Sequence, residues 1–362
     1  MKKILFMVQL PPPVHGASVM NKHVVDLFQS QPFKTRTLEL RFVKDVSSIG
    51  SVSLFKILKM LTLALRLIAV LISFRPDIVY FTLSPIGGAF YRDSLYVAIL
   101  KLFGIKIVYH LHGKGIIDNL NVKWKKSLYK FVFKNTNVIH LSRLLEKDIE
   151  GLGYSKIFFV ANGINTAETN EEHRKNERIQ FLFLSNLTIS KGLFVLLDSC
   201  AILKAKGHIF DLNIVGNEFD ITFTELKKKV DNLGLSEFVH VLGAKYGNDK
   251  DAVLKSADVF VLPTAYRNEC FPLVLLEGMQ FSLPLISTYE GAIPEIIDDG
   301  TTGFIVHQNN PNELAERMEI LLKDDNLRRQ MGKNGRTKFE EKYTINSFKE
   351  NIVAVMKEIA DE

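Results

Sequence analysis

Gln180-Phe181-Leu182-Phe183-Leu184-Ser185-Asn186-Leu187-Thr188-Ile189-Ser190-Lys191-Gly192 reads as a strand that leaves its sheet through a polar loop and runs at once into an apolar helical pattern. A continuous apolar run of this kind suits a parallel strand covered on both faces. Working outward, the same punctuation recurs at 212–215, 239–242, 259–262, 285–287 and 304–306. Upstream it appears at 4–8, 38–42, 78–82, 105–110, 138–141 and 157–160. The second half thus restarts the alternation of the first. Between them, residues 166–178 are polar, lack apolar periodicity and read as a linker. The expectation is α/β: two Rossmann-like doubly wound domains in tandem, over 1–165 and 179–342, with a ligand held at the carboxyl ends of the strands in a central cleft.

Length and composition agree with this. A chain of 362 residues, 47% hydrophobic and 24% charged, holds enough apolar material for two cores. Its only cysteines, Cys200 and Cys270, exclude a disulfide framework and a cysteine-based zinc site, which makes the cytosol the natural compartment. The first apolar run, 4–10, stops at three prolines and is expected to be a buried strand rather than a signal peptide. The longest apolar run, 57–74, is interrupted by Lys59 and Arg66, which argues against a spanning helix.

Charge is shared unevenly. Residues 1–165 carry 23 Lys+Arg against 9 Asp+Glu, and the remainder carries 23 against 31. A basic front half suits nucleic acid, an anionic leaflet or a phosphorylated substrate. No nucleic-acid motif accompanies it. The basic residues instead punctuate apolar helical stretches: Lys56, Lys59 and Arg66, then Lys123, Lys125, Lys126, Lys130 and Lys134 around Trp124, Leu128, Tyr129, Phe131 and Phe133. Two readings stand, a helix lying on a membrane surface and an ordinary packing helix with a solvated basic face.

The segment richest in chemistry follows the strand at 259–262: Asn268-Glu269-Cys270-Phe271-Pro272-Leu273-Val274-Leu275-Leu276-Glu277-Gly278-Met279. Pro272 favours a first helical turn, leaving Glu269 on the loop and Glu277 in the helix, so that the break lets both carboxylates reach one ligand. The amides of Phe271, Leu273 and Val274 then face outward at a positive helix end, an anion site. Carboxylates suit sugar hydroxyls and free amides suit phosphate; together they suggest a sugar nucleotide. Lys191 is expected to open the helix after the 180–184 strand, where an anionic ligand would compensate a cation that the helix dipole disfavours.

In the first half, His110-Leu111-His112-Gly113 ends a strand. The two rings share a side, which admits a metal reading, but no third ligand is evident nearby, and His112 before a glycine sits where a cleft residue belongs. Pro11-Pro12-Pro13-Val14-His15-Gly16 stands where a dinucleotide-binding domain would carry Gly-x-Gly-x-x-Gly. That fingerprint is absent, although Gly16 lets backbone approach a ligand closely. Asp249-Lys250-Asp251 has the spacing of a metal-holding Asp-x-Asp, but it opens a helical pattern after Gly247, and helix capping is the preferred reading.

Taken together these parts resemble glycosyltransferase family 4, the retaining glycosyltransferases of the two-Rossmann GT-B type found in bacterial surface-polysaccharide assembly. The resemblance rests on Ser190-Lys191-Gly192, Ile214-Val215-Gly216, Ala257-Asp258-Val259, the Glu269 to Glu277 pair, Glu290-Gly291-Ala292-Ile293-Pro294-Glu295, Gly300-Thr301-Thr302-Gly303-Phe304 and Ala161-Asn162-Gly163-Ile164. It implies that Lys191 grips the donor diphosphate, Glu277 accepts from the ribose hydroxyls and Glu269 holds the transferred sugar. His112 would contact that sugar near the reacting carbon, and Gly16 would line the acceptor and phosphate side. Backbone near Ala244 and Lys245 would meet the base, with Gly216, Cys270, Phe271, Pro272 and Leu273 completing the donor loops. The family usually carries an arginine five positions before the lysine, where this chain has Asn186, whose amide could hydrogen-bond phosphate but is no cation; Cys270 replaces a commonly small residue. A terminal helical segment, 343–362, would cross back onto the first domain.

The implied activity is metal-independent and needs no cofactor: transfer of a hexose or N-acetylhexosamine from a nucleotide diphosphate sugar to a lipid-linked or polysaccharide acceptor, in the cytoplasm or at the inner face of the plasma membrane. Three alternatives remain at this level: a GT-B synthase with a small soluble acceptor, a catalytically silent sugar-nucleotide-binding partner of an assembly complex, and, discouraged by the missing glycine fingerprint, a nicotinamide oxidoreductase.

Overall fold

The computed structural model describes residues 1–12, 15–40, 54–167 and 177–362. Pro13, Val14, Arg41, Phe42 and most of the expected linker, 168–176, lie outside the described residues. The chain divides into two units, Met1–Asn162 with Asn346–Glu362, and Gly163–Ile345.

Unit 1 is built on β1 (Lys3–Val8), α1 (Gly16–Phe28), β2 (Lys34–Glu39), α2 (Leu54–Phe74), β3 (Ile78–Phe81), α3 (Gly87–Leu102), β4 (Lys106–His110), α4 (Lys123–Phe133), β5 (Asn137–His140) and β6 (Lys156–Phe159). Its sheet is parallel throughout, in the order β2-β1-β3-β4-β5-β6. β2 begins and ends earlier than the apolar run at 38–42 suggested. It lies at the edge of the sheet, with Lys34, Arg36 and Thr37 exposed and only Leu38 buried, so it carries no apolar run and polarity hid it. The strand order turns back beside β1, and α1 starts there under a reciprocal cap: Ser18 N donates to His15 Nδ1 (3.3 Å) and His15 N donates to Ser18 Oγ (3.0 Å).

α2 is apolar on both sides. Leu63, Leu67, Val70, Leu71 and Phe74 enter the core of unit 1, while Leu58, Leu61, Leu65 and Ile72 are exposed. Its stretch Ile57–Phe74 has a mean hydropathy of 2.2 and is long and apolar enough to cross a membrane by length and composition, despite Lys59 and Arg66. One face is nevertheless a core face, packed under the sheet.

Unit 2 repeats the scheme with β7 (Ile179–Leu184), α5 (Leu193–Ala205), β8 (Phe210–Val215), α6 (Phe223–Asn232), β9 (Val239–Gly243), α7 (Gly247–Ser256), β10 (Val259–Val261), α8 (Leu273–Gln280), β11 (Leu285–Thr288), α9 (Ile293–Ile296), β12 (Gly303–Val306), α10 (Pro311–Lys323) and α11 (Asp325–Lys342). The order is β12-β11-β10-β7-β8-β9, again parallel. Its reversal falls between β7 and β10, the place where an open doubly wound sheet offers a ligand crevice at its carboxyl edge.

The last helix, α12 (Ile345–Asp361), belongs almost wholly to unit 1. Phe348 is fully buried with its ring 6.4 Å from that of His110, Lys106 Nζ donates to the Ile359 carbonyl (2.9 Å), and Lys156 pairs with Glu358 and Glu362.

Candidate functional site

The loops leaving β7 and β10 lie side by side because their strands do. After β7 a short 3-10 turn, Ile189–Lys191, ends at Gly192, which takes a left-handed φ of 80°. Lys191 therefore does not open α5, as the sequence suggested; it stands two residues before it, on a turn tied to the β10 loop. Ala265 N donates to the Ser190 carbonyl (2.7 Å), which fixes that tie. From there Lys191 reaches Glu269 in an ion pair, with its Nζ 5.0 Å from the centre of the Tyr266 ring. Both side chains are largely shielded from solvent, and a Lys–carboxylate pair so placed is held by charge as well as hydrogen bonding.

Glu269, Cys270 and Phe271 are buried on the loop. Its backbone is pinned from the far side, where Ala292 N donates to the Cys270 carbonyl (2.9 Å). Pro272 is extended and acts as the N-cap of α8, rather than a residue of its first turn. Leu273 and Val274 follow with no backbone acceptor for their amides among the described residues. Glu277 lies one turn on, so the loop-to-helix break does separate the two glutamates as the sequence indicated. Each finds its own cation: Lys191 for Glu269 and Lys250 for Glu277.

Around this core, Gly216 leaves β8 so close to the β7 loop that a Cβ would stand 1.8 Å from the Ser185 carbonyl oxygen. Asn186 on the same loop is exposed, and Ala244 and Lys245, half-buried, follow β9. Asp249 falls in the first turn of α7 rather than capping it: the N-cap is Tyr246, without a side-chain bond. Lys250, which the sequence presents as part of a cap, is the ionic partner of Glu277. No spacing rule announces it, since it approaches Glu277 across two helices.

In unit 1, His15 and Gly16 follow β1 and His112 follows β4, with His15 near enough to His112 to act on its charge. Asn21 Nδ2 donates to the Gln9 carbonyl (2.9 Å) and Thr82 Oγ1 donates to Asn21 Oδ1 (2.7 Å), fastening α1 to the β1 and β3 exits. The rings of His110 and His112 lie 4.1 Å apart, and Tyr80 Oη meets His110 Nδ1. Both ring nitrogens of His112, and Nε2 of His110 and His140, are buried with no hydrogen-bond partner among the described residues. Burial, with His15 adding to it, pulls the His112 imidazole down to about 3; burial and His112 do the same to His140, and His110 is driven well below the usual range. These rings are neutral at physiological pH. Among the described residues no three His, Cys, Asp or Glu side chains converge on a point that could hold a metal ion.

Two units with parallel six-stranded sheets, the second presenting a Lys–Glu pair at its crevice, define a GT-B protein. The solved structures share that fold: the lipopolysaccharide outer core galactosyltransferase WaaB matches over 98% of this chain and 99% of its own (TM-score 0.75, 17% identity), and HepE of Anabaena in complex with UDP-glucose over 99% and 100% (TM-score 0.69, 16% identity). Residues 165–338 match the family model for glycosyl transferases group 1. Over that segment, just under half of its length, the chain is similar to this family of glycosyltransferases. Among curated relatives it is 26% identical over 269 residues to a glycosyltransferase of Methanocaldococcus jannaschii, covering 73% of this chain and 72% of that one. It is 28% identical over 225 residues to the amylovoran biosynthesis glycosyltransferase AmsK of Erwinia amylovora, covering 60% and 55%. The alignment thus spans about half of the latter's length.

Proposed function

We propose that this retaining glycosyltransferase moves a hexose or N-acetylhexosamine from a nucleotide diphosphate sugar to a lipid-linked or polysaccharide acceptor in surface-polysaccharide assembly, at the cytoplasmic face of a membrane. The observation that carries the donor half is the Lys191–Glu269 pair beside the amide-rich start of α8, at the reversal of the unit 2 sheet. A diphosphate draws Lys191 off Glu269 and is met by the Leu273 and Val274 amides; the released carboxylate is then free to accept from sugar hydroxyls. Glu277 accepts from the ribose, backbone at Ala244 and Lys245 meets the base, and Asn186 contributes an amide to the phosphates. Gly216 permits the close backbone approach that the donor loops need. In unit 1, His112 and Gly16 take the roles of sugar and acceptor contacts that the family resemblance gives them.

The chemistry is front-face. The bond from the anomeric carbon to the diphosphate oxygen breaks, the acceptor oxygen bonds to that carbon on the same side, and its proton passes to the departing diphosphate. No side-chain nucleophile is required, so the chain's share is positioning and neutralising the leaving group. A neutral His112 offers this step a hydrogen bond rather than a charge. Support for a polysaccharide setting comes from AmsK and for a uridine donor from HepE, each by its own described role.

The acceptor half rests on unit 1. Leu58, Leu61, Leu65 and Ile72 of α2 are exposed, Leu65 by 68%. Trp124 of α4 is 58% exposed and stacks on Tyr91 of α3 (5.8 Å, 25°), among exposed Lys123, Lys126 and Lys130. Apolar and aromatic side chains within a basic field suit an anionic leaflet.

The donor claim is tested by thermal shift across a panel of nucleotide sugars, UDP-glucose, UDP-galactose and UDP-N-acetylglucosamine first, followed by product mass spectrometry with lipid-linked acceptor. Lys191→Ala and Glu277→Ala should each lower transfer by about a hundredfold or more while the fold persists. Full transfer by both variants would contradict the assignment.

A further inference from the structure

Glu277 is held by one oxygen only. Lys250 Nζ donates to its Oε1 at 2.7 Å, whereas Oε2 is buried and has no hydrogen-bond partner among the described residues. A buried carboxylate oxygen left without a donor is costly, and such an atom in a native fold calls for an explanation. The pair is no solvated surface bridge: Lys250 is 29% and Glu277 19% exposed at the side chain. It also joins two elements, because Lys250 projects from α7, which precedes β10, and Glu277 from α8, which follows it. One oxygen is thereby occupied by the protein, and the other is aimed with its acceptor capacity intact.

We propose that Lys250 is a positioning residue for donor recognition: by clamping Oε1 it sets the Glu277 carboxylate so that Oε2 accepts from a ribose hydroxyl of the nucleotide. The proposal rests on reading Glu277 as the ribose contact, and it adds the residue that makes this contact selective. Without the clamp, the carboxylate turns among rotamers, and the ribose hydroxyl loses its fixed acceptor. Binding of the diphosphate and base, which use other groups, persists. The signature of Lys250 is therefore the preference for a ribonucleotide over its deoxy form, not affinity as such.

Calorimetric titration tests this on the full chain. Whichever of UDP, GDP, ADP and CDP binds the unaltered protein most tightly is compared with its 2′-deoxy and 3′-deoxy forms. The unaltered protein should prefer the ribonucleotide over at least one deoxy form by about tenfold or more, the value of a hydrogen bond to a charged group. Lys250→Met should cut this preference to about threefold or less by weakening the ribonucleotide while leaving the deoxy form nearly unchanged, and Lys250→Arg should restore part of it. A merely structural lysine would weaken both nucleotides alike, and a Lys250 that competes with the donor would tighten them on removal; either result, or a preference retained in Lys250→Met, overturns the proposal. Glu277→Ala separates the two levels. If it keeps the preference, if the unaltered protein has none, or if no nucleotide binds, then the ribose reading of Glu277 itself fails and takes the proposal with it.

Discussion

Gly192 has no room for a side chain: a Cβ there would stand 2.0 Å from the Pro263 carbonyl oxygen, and its φ of 80° is one that other residues adopt under strain. The close approach of the β7 and β10 loops, and with it the meeting of Lys191 and Glu269, depends on that glycine. Gly192→Ala should destabilise the protein by about 2 kcal/mol or more and weaken donor binding, both read from thermal unfolding with and without nucleotide. The sequence displayed Lys191-Gly192 as adjacent letters, but it could not show that the glycine faces Pro263, some seventy positions away. For the same reason Lys250 stayed hidden while Glu269 and Glu277 were visible: eightfold spacing across a loop-to-helix break is a local pattern, and a pair across α7 and α8 is not. The buried histidines give a second prediction. His112 and His140 titrate near 3 when folded against 6.5 when not, so the unfolded chain binds more protons between those limits. Stability should therefore fall as pH drops from about 6.5 toward about 3, and His140→Gln should flatten part of that slope. An identical slope in urea titrations of the variant would count against the assignment.

Among elements, α2 shows where hydropathy alone misleads. Its apolar run was legible, and so was its conflict with Lys59 and Arg66, yet only packing divides it into a core face and an outward one. The two faces predict opposite behaviour. Leu67→Ala, in the core, should cost about 2–5 kcal/mol in chemical unfolding. Replacing Leu61, Leu65 and Ile72 together by serine should change stability little, since exposed apolar groups contribute little to folding. The same triple variant should nevertheless lose sedimentation with phosphatidylglycerol vesicles, and equal sedimentation of both proteins at low salt would detach α2 from the membrane reading. Twelve strands were expected and twelve are present among the described residues, with β2 displaced because this edge strand is charged and largely exposed. α7 was expected to be capped by Asp249 and instead begins after an extended Tyr246; here propensity pointed to the right helix and the wrong first residue.

At the scale of the whole molecule, the apolar alternation was enough to reveal two sheets, because parallel strands are buried on both faces and announce themselves as runs. The order of strands was not readable: it depends on which helices cover which face, a matter of long-range packing. Nor was it visible from composition that α12 fastens to β4 and β6 through Lys106 and Lys156. Removing 346–362 should therefore unfold unit 1 preferentially, monitored by hydrogen exchange at β4 and β6, while the amides of β7 and β10 keep their protection. That discontinuity has a consequence during synthesis. As the polypeptide emerges from the ribosome, the lobe that begins with β1 lacks its closing helix until every segment of the lobe that begins with β7 has already been made. The order of birth and the order of completion are reversed, which leaves the basic lobe waiting longer in the company of chaperones.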